Sequence, residues 1–226
     1  MSKIVVLGCG AVGSYAVKTL SMSNVFSEIV VADLNVEKPQ QLVQSLGSRN
    51  ISAAQFDALN SESIKKLIKN SQVVLNCVGP YYKFGFPILK ATIESGLNYV
   101  DVCDDFDATE ELLKLDEEAR EKGVSALAGM GASPGLVSIL VRFCTEALLD
   151  ETESVDIYHA HGGERTEGAG VVKHRIHSML IDIPVFMDGK FKIVKMFEKS
   201  GEELEDTVDF PDLGKCDVYV YAHPKQ

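Results

Sequence analysis

The chain is expected to fold as an α/β protein, a doubly wound parallel sheet followed by a partial α/β (α+β) region. Three observations point there. Short β-branched runs alternate with helical stretches through the first 130 residues, a glycine cluster follows the first run at once, and the alternation stops after Met130. The early strands read as apolar throughout, so helices must cover both faces of the sheet. Their connections suit right-handed βαβ crossovers.

Each element has its own local reason. Residues 4–7 are a first apolar run and residues 11–20 a helix after the glycines. Residues 29–32 are a second run that ends in Asp33. A helix over 36–46 closes at Gly47, and residues 51–56 form a third strand. Asn60 or Ser61 can cap the next helix, in which Ile64, Leu67 and Ile68 fall at helical spacing. Residues 73–75 are a fourth strand, followed by a Gly79-Pro80-Tyr81-Tyr82 loop. The spacing predicts a helix over 86–95 that stops at Gly96, then a strand over 99–102. Residues 108–122 read as one helix, with Glu110/Lys114 and Asp116/Arg120 as i,i+4 pairs and Gly123 as its stop. A sixth strand fits 124–128.

Beyond Met130 the pattern predicts a helix over 134–149, a strand over 154–160, a glycine-bearing loop over 162–170 and a short helix over 174–181. A hairpin over 185–194 turns on Asp188-Gly189, and residues 216–222 alternate as a last strand. The acidic run at 202–206 reads as a solvated loop. The division is therefore expected at residues 1–130 for a first domain and 131–226 for a partial second one.

Composition narrows the partners. The chain has 226 residues, 46% hydrophobic and 24% charged, with a formal net charge of -11. Such an acidic surface argues against nucleic acid and against anionic membranes. No run approaches the roughly 18–20 apolar residues that span a bilayer, and the N-terminus lacks a signal-peptide core. A cytoplasmic location is expected. The five cysteines, at 9, 77, 103, 144 and 216, are odd in number and lack CxxC spacing, which suits free thiols.

The chemistry concentrates in Gly8-Cys9-Gly10-Ala11-Val12-Gly13. This GxGxxG pattern follows a strand and opens a helix, and Asp33 lies at the end of the second strand. Together these make the dinucleotide-binding fingerprint of a Rossmann fold. Gly8 permits the tight turn, Gly10 lets a pyrophosphate approach the backbone, and Gly13 lets helix and sheet pack closely. The helix N-terminus, at Ala11 and Val12, offers N–H groups and partial positive charge. Asp33 suits a ribose 2′-hydroxyl and opposes a 2′-phosphate, so the expected cofactor is NAD. NADP is the alternative, since Asn35 and Lys38 lie near. A methyltransferase also uses a glycine-rich first turn, but Gly13 tells against it.

Residues 74–82 (Val-Leu-Asn-Cys-Val-Gly-Pro-Tyr-Tyr), 96–102 (Gly-Leu-Asn-Tyr-Val-Asp-Val) and 129–136 (Gly-Met-Gly-Ala-Ser-Pro-Gly-Leu) resemble the saccharopine dehydrogenase-like family. The likeness is to its saccharopine reductase and lysine 6-dehydrogenase branch. It continues more weakly through 184–190 and 221–224. The resemblance implies a Rossmann domain followed by a substrate domain, a homodimer, and hydride transfer between NAD(P) and a carbon–nitrogen bond of an amino acid. It implies that Asn76, Cys77, Val78, Gly79, Pro80 and Tyr81 lie along the cofactor, that Gly131 lies near the nicotinamide, and that Asp57 reaches the adenine side. Members run well past the His223-Pro224 segment, so the substrate domain is expected to be shortened. A cofactor-binding protein without turnover is the matching alternative.

Amine chemistry needs a cation for the substrate carboxylate, acceptors for its ammonium and a group that moves a proton. The candidates are Tyr81 beside the cofactor, Asp104 for the ammonium, Arg175 for the carboxylate and His174 for the proton. The histidines at 159, 161, 174 and 177 do not demand a metal, and none is expected. Cys77 and Cys103 read as buried thiols rather than nucleophiles.

Overall fold

A computed structural model describes residues 2–160 and 168–222. The predicted glycine-bearing loop falls mostly outside these residues. Six strands, β1 (Lys3–Leu7), β2 (Glu28–Asp33), β3 (Ile51–Gln55), β4 (Val73–Asn76), β5 (Asn98–Asp101) and β6 (Ala126–Leu127), form one sheet in the order β3-β2-β1-β4-β5-β6. Every pairing in it is parallel. The order reverses between β1 and β4, which places a ligand crevice at the carboxyl ends of those two strands.

Burial follows the pleat. Val5 and Leu7 of β1 face one apolar layer with Val30, Val74 and Ile88, while Ile4 and Val6 face another with Val17, Ile29 and Leu42. Helices α1 (Ala11–Ser21) and α2 (Glu37–Leu46) cover the second layer. Helices α3 (Ser61–Ile68), α4 (Tyr81–Glu94), α5 (Phe106–Leu113) and α6 (Asp116–Glu121) cover the first. Asn60 caps α3 through its side chain, which accepts from the Ser63 N–H.

Two elements differ from their local signals for physical reasons. Helix α4 begins at Tyr81 and carries Pro87 inside it, although proline usually marks a start or a break. Its first-turn N–H groups at Tyr81 and Tyr82 donate to the carboxylate of Asp105, at 2.8 and 3.2 Å. That cap comes from a distant loop. The single helix expected over 108–122 is two helices, because a tight turn at Lys114 and Leu115 keeps Leu112, Leu115 and Ala119 together in the core.

The later region is built from α7 (Leu136–Phe143) with a π-helical turn at Cys144–Leu148, α8 (Ala169–Leu180), hairpin β7–β8 (Ile183–Met187 and Lys190–Val194), α9 (Lys199–Glu202) and hairpin β9–β10 (Asp206–Phe210 and Gly214–Val218). The first hairpin turns on Asp188 and Gly189, both at positive φ as the sequence predicts. Residues 151–160 form no strand: Val155, Ile157 and Tyr158 are exposed, and an alternating segment without a ladder partner has nowhere to place its backbone bonds. A small core of Ile183, Val194, Met196 and Ala222 holds this region. Helix α7 buries none of its residues, and Leu136, Ile139 and Phe143 are more than half exposed.

A buried polar network ties the sheet to the loop after β6. The Asn76 side chain donates from Nδ2 to the Tyr99 hydroxyl (2.9 Å), which donates to Asp101 Oδ2 (2.8 Å). Asp101 Oδ1 accepts from the N–H groups of Cys103 (3.0 Å) and Gly129 (2.8 Å). Tyr99→Phe removes the bridging hydroxyl and leaves a buried amide and a carboxylate short of partners. It is expected to cost about 1–3 kcal/mol in urea unfolding. A loss below about 0.5 kcal/mol would show that the network is not structurally important.

Candidate functional site

The glycine turn is shaped by its neighbours. Gly8 sits at φ +92, and a Cβ there would lie 2.7 Å from the Cys77 carbonyl oxygen. A Cβ on Gly13 would lie 1.9 Å from the Gly8 carbonyl oxygen. These two glycines are therefore required by packing between the turn, α1 and the end of β4. Gly10 meets nothing within 4 Å. It stands at the N-cap of α1, where no side chain caps the helix. Gly10, Ala11 and Val12 are exposed. The first-turn N–H groups thus face open space, as a phosphate cradle requires.

Asp33 closes the turn. Its Oδ2 accepts from the Cys9 N–H at 2.9 Å and its Oδ1 from the Asn35 N–H at 3.0 Å. An ionised carboxylate has about four acceptor sites, so capacity remains for ribose hydroxyls. Asp57 lies beyond β3, exposed, with Oδ1 accepting from the Leu59 N–H (2.9 Å). Phe56 beside it donates its N–H to the Asp33 carbonyl (3.3 Å). The residues present fit a dinucleotide: an uncapped helix N-terminus, a glycine without a neighbour and an acid at the end of β2.

The loop after β4 divides into buried and open parts. Asn76 is fully buried, with Oδ1 accepting from the Val78 N–H (2.9 Å). Burial pushes the Cys77 thiol up to about 12 and raises that of Cys103 as well, which suits inert thiols. Gly79 is exposed and Pro80 buried. Tyr81, expected as a catalytic candidate, is 6% exposed, and its hydroxyl donates to the Asn76 carbonyl at 2.9 Å. The structure therefore places it in the core, where it braces this loop. Gly131 donates its N–H to the Pro134 carbonyl (3.0 Å) in the loop that precedes α7. Gly135, at φ +119, could not carry a Cβ, which would lie 2.2 Å from the Gly131 oxygen.

Three of the remaining candidates come together. Helix α8 lies against the loops before α4 and α5: a Cβ on its Gly170 would lie 3.3 Å from the Gly79 carbonyl oxygen, and its His174 meets Asp105. His174 on α8 places Nδ1 2.6 Å from Asp105 Oδ1 and Nε2 3.2 Å from Asp104 Oδ2. Arg175 follows on the same helix, near enough to oppose a charge on His174. One turn on, His177 Nε2 lies 2.8 Å from Asp107 Oδ2, and its ring stacks on Tyr82 at 4.1 Å between centroids.

Two members of this cluster escaped sequence reasoning. Asp105 is an acid in an acidic loop and looks like ordinary helix N-terminal charge. Tyr221, whose hydroxyl lies 2.8 Å from His174 Nε2, is 47 residues away in sequence. Neither carries a local signal. Among the described residues two sets, Asp104/Asp105/His174 and Asp105/Asp107/His177, have metal-compatible spacing. Asp104 and Asp105 already pair with His174, and Asp107 with His177.

Burial opposes charge on His174, but the Asp105 hydrogen bond and the Asp104 and Asp105 charges outweigh it and raise its pKa. Burial raises that of Asp104, partly offset by His174. A depression of about 360 Å³ lies beside the cluster, lined by Tyr81, Tyr82, Phe86 and Asp107 among others. A larger one, about 450 Å³ at Ser27, Glu28 and Arg49, sits at the amino ends of β2 and β3, the wrong end of the sheet for the glycine turn.

Residues 4–127 match the family described as the saccharopine dehydrogenase NADP binding domain. The chain is 33% identical over 144 residues to a saccharopine dehydrogenase-like oxidoreductase of Mus musculus, covering 57% of this chain and 34% of that one. It is 24% identical over 245 aligned positions to a carboxynorspermidine synthase of Vibrio cholerae, covering 97% and 57%. Its fold is similar to the apo saccharopine dehydrogenase (L-Glu forming) of Saccharomyces cerevisiae, with a TM-score of 0.68 at 17% identity over 97% of this chain and 49% of that one. The chain thus spans a third to somewhat over half of these relatives. The family match assigns the glycine turn to a nicotinamide dinucleotide rather than to S-adenosylmethionine. Among the described residues no helix is long and apolar enough to cross a membrane.

The two glycines predict opposite outcomes. Gly13→Ala is expected to lower unfolding free energy by about 1–3 kcal/mol through overpacking. Gly10→Ala is expected to leave the thermal midpoint unchanged and to weaken NADH binding about tenfold or more, read by NADH fluorescence. A second expectation concerns α8. A histidine with a raised folded pKa stabilises below its unfolded value of about 6.5, and that contribution is lost as pH rises through the folded value. Amide protection in α8, corrected for intrinsic exchange, should therefore fall from about pH 6 to about pH 8.5 and be flat in His174→Gln.

Proposed function

Because the chain belongs to the family of the saccharopine dehydrogenase NADP binding domain, we propose that it is an oxidoreductase acting on a carbon–nitrogen bond of an amino acid. The substrate class is saccharopine-like or lysine-like. Residues 1–130 serve as the cofactor domain and residues 131–226 as a partial substrate and dimerisation domain, in a homodimer. The observation that carries the reading is the meeting of two sites at one loop. The loop after β4 borders the glycine turn through Cys77, and through Gly79 it borders Gly170 of α8, the helix that carries His174.

The residues divide the work. The N-terminus of α1 holds the pyrophosphate by its N–H groups, and Gly10 leaves room for it. Asp33 accepts from ribose hydroxyls. A bound nicotinamide supplies a hydride acceptor or donor. On the substrate side, Asp104 holds the ammonium, Arg175 the carboxylate, and His174 exchanges the proton that amine–imine interconversion releases or consumes. The names of relatives support this class: a carboxynorspermidine synthase and a saccharopine dehydrogenase-like oxidoreductase.

NAD is preferred over NADP because a 2′-phosphate would meet the Asp33 carboxylate. Asp33→Ala is expected to weaken NADH about ten- to hundredfold, the worth of hydrogen bonds to a charged acceptor, and to weaken NADPH less or strengthen it. Equal loss for both would contradict the assigned role. Consumption of NAD or NADP with a panel of lysine, saccharopine and related amino acids tests the activity. Binding of NADH or NADPH without turnover on any member would favour a cofactor-binding protein instead. Absence of binding to either would remove both readings.

A further inference from the structure

We infer that Asp105 and Tyr221 equip His174 to carry the substrate proton, Asp105 as a positioning residue and Tyr221 as the hydroxyl that links His174 to the amine. The inference rests on the oxidoreductase reading above and extends it to two residues outside the glycine turn.

Asp105 has a fully buried side chain with both oxygens engaged. Oδ2 accepts from the Tyr81 and Tyr82 N–H groups, and Oδ1 faces His174 Nδ1 at 2.6 Å. An ionised carboxylate only accepts, so the hydrogen of this pair sits on Nδ1. Nε2 is then the nitrogen that gains and loses a proton. It has a partner ready in each state. The neutral ring accepts from the Tyr221 hydroxyl at 2.8 Å, and the protonated ring donates toward Asp104 Oδ2 at 3.2 Å. The charged and titratable groups facing His174 are Asp104 and Asp105 from the loop before α5, Arg175 on α8, and Tyr221 from the C-terminal segment. His174 itself is 9% exposed, whereas Tyr221 is 39% exposed, so the tyrosine is the member that can meet a substrate.

The step balances in the oxidising direction. The substrate ammonium gives one N–H proton to the Tyr221 oxygen as the Tyr221 proton passes to Nε2. The adjacent carbon–hydrogen bond then breaks, its electron pair leaving as hydride to the oxidised dinucleotide, and the nitrogen lone pair closes the C=N bond. The products are a protonated imine (C=NH2+), a reduced dinucleotide and a protonated His174, which loses its proton to solvent past Asp104. Reduction runs the same path backwards.

The test uses imidazole nitrogen NMR on the whole chain, with His174 identified by its loss in His174→Gln. In the wild type, Nδ1 should stay protonated across the titration while Nε2 responds. Asp105→Asn should lower the His174 midpoint by about one pH unit or more and mix the tautomers, and Asp105→Glu should restore both in part. Tyr221→Phe should change the Nε2 signal and leave Nδ1 protonated. In turnover, the limb of the kcat/KM profile set by His174 should move with its NMR midpoint in Asp105→Asn, and Tyr221→Phe should lower kcat about 10²- to 10⁴-fold. An unmoved His174 midpoint in Asp105→Asn overturns the inference, as does a wild-type rate and pH profile in Tyr221→Phe. Should Asp105→Asn fail to fold, Tyr221→Phe still decides. Absence of dinucleotide binding, or binding without turnover in the wild type, overturns the oxidoreductase reading, and the inference falls with it. Turnover with unchanged variants overturns the inference alone.

Discussion

One buried carboxylate holds the cofactor loop and the second region together. Asp105 caps α4 through the N–H groups of Tyr81 and Tyr82, and the same group binds His174 on α8. A carboxylate taken out of water is costly unless its lone pairs are satisfied. Here two backbone donors and an imidazole satisfy it. The start of α4 sets the path of Gly79 and Pro80, and Gly79 contacts Gly170 of α8. A change at Asp105 is therefore felt both where the dinucleotide lies and where a substrate would be handled.

The second constraint is steric. Gly8, Gly13 and Cys77 pack so closely that neither glycine position admits a Cβ. That packing leaves the first N–H groups of α1 uncapped and brings Cys9 onto Asp33. Binding capacity here is a by-product of close packing, because the packed turn leaves those N–H groups open to a ligand. It also explains how a chain with a net charge of -11 can bind an anion. Backbone N–H groups supply the positive potential locally, and no basic surface is needed.

Much of the sheet was legible in the residues because its signals are local. The runs at 4–7 and 29–32, the glycine turn, Asp33, the Asn60 cap and the Asp188-Gly189 hairpin each depend on neighbours in sequence. The start of α4 was not, since its cap arrives from residue 105 and overrides Pro87. The expected strand at 154–160 failed for the converse reason: its alternation is real, but a strand also needs a ladder partner. The site shows the same division. His174 and Asp104 stood out as chemically capable side chains. Tyr221, Asp105 and the Asn76–Tyr99–Asp101 network became visible only when the fold brought distant residues within hydrogen-bond distance. Tyr81 stood out for its place in the loop, and the fold uses it as a brace.

In the proposed reaction hydride passes between an amino-acid carbon bonded to nitrogen and a nicotinamide held at the glycine turn. Incubating the chain with NAD and amino acids deuterated at that carbon tests it directly. Deuterium at the reduced nicotinamide, together with an imine or its hydrolysis product, is the expected result. Saturating NAD binding with no transfer of deuterium from any lysine-like or saccharopine-like substrate would contradict it.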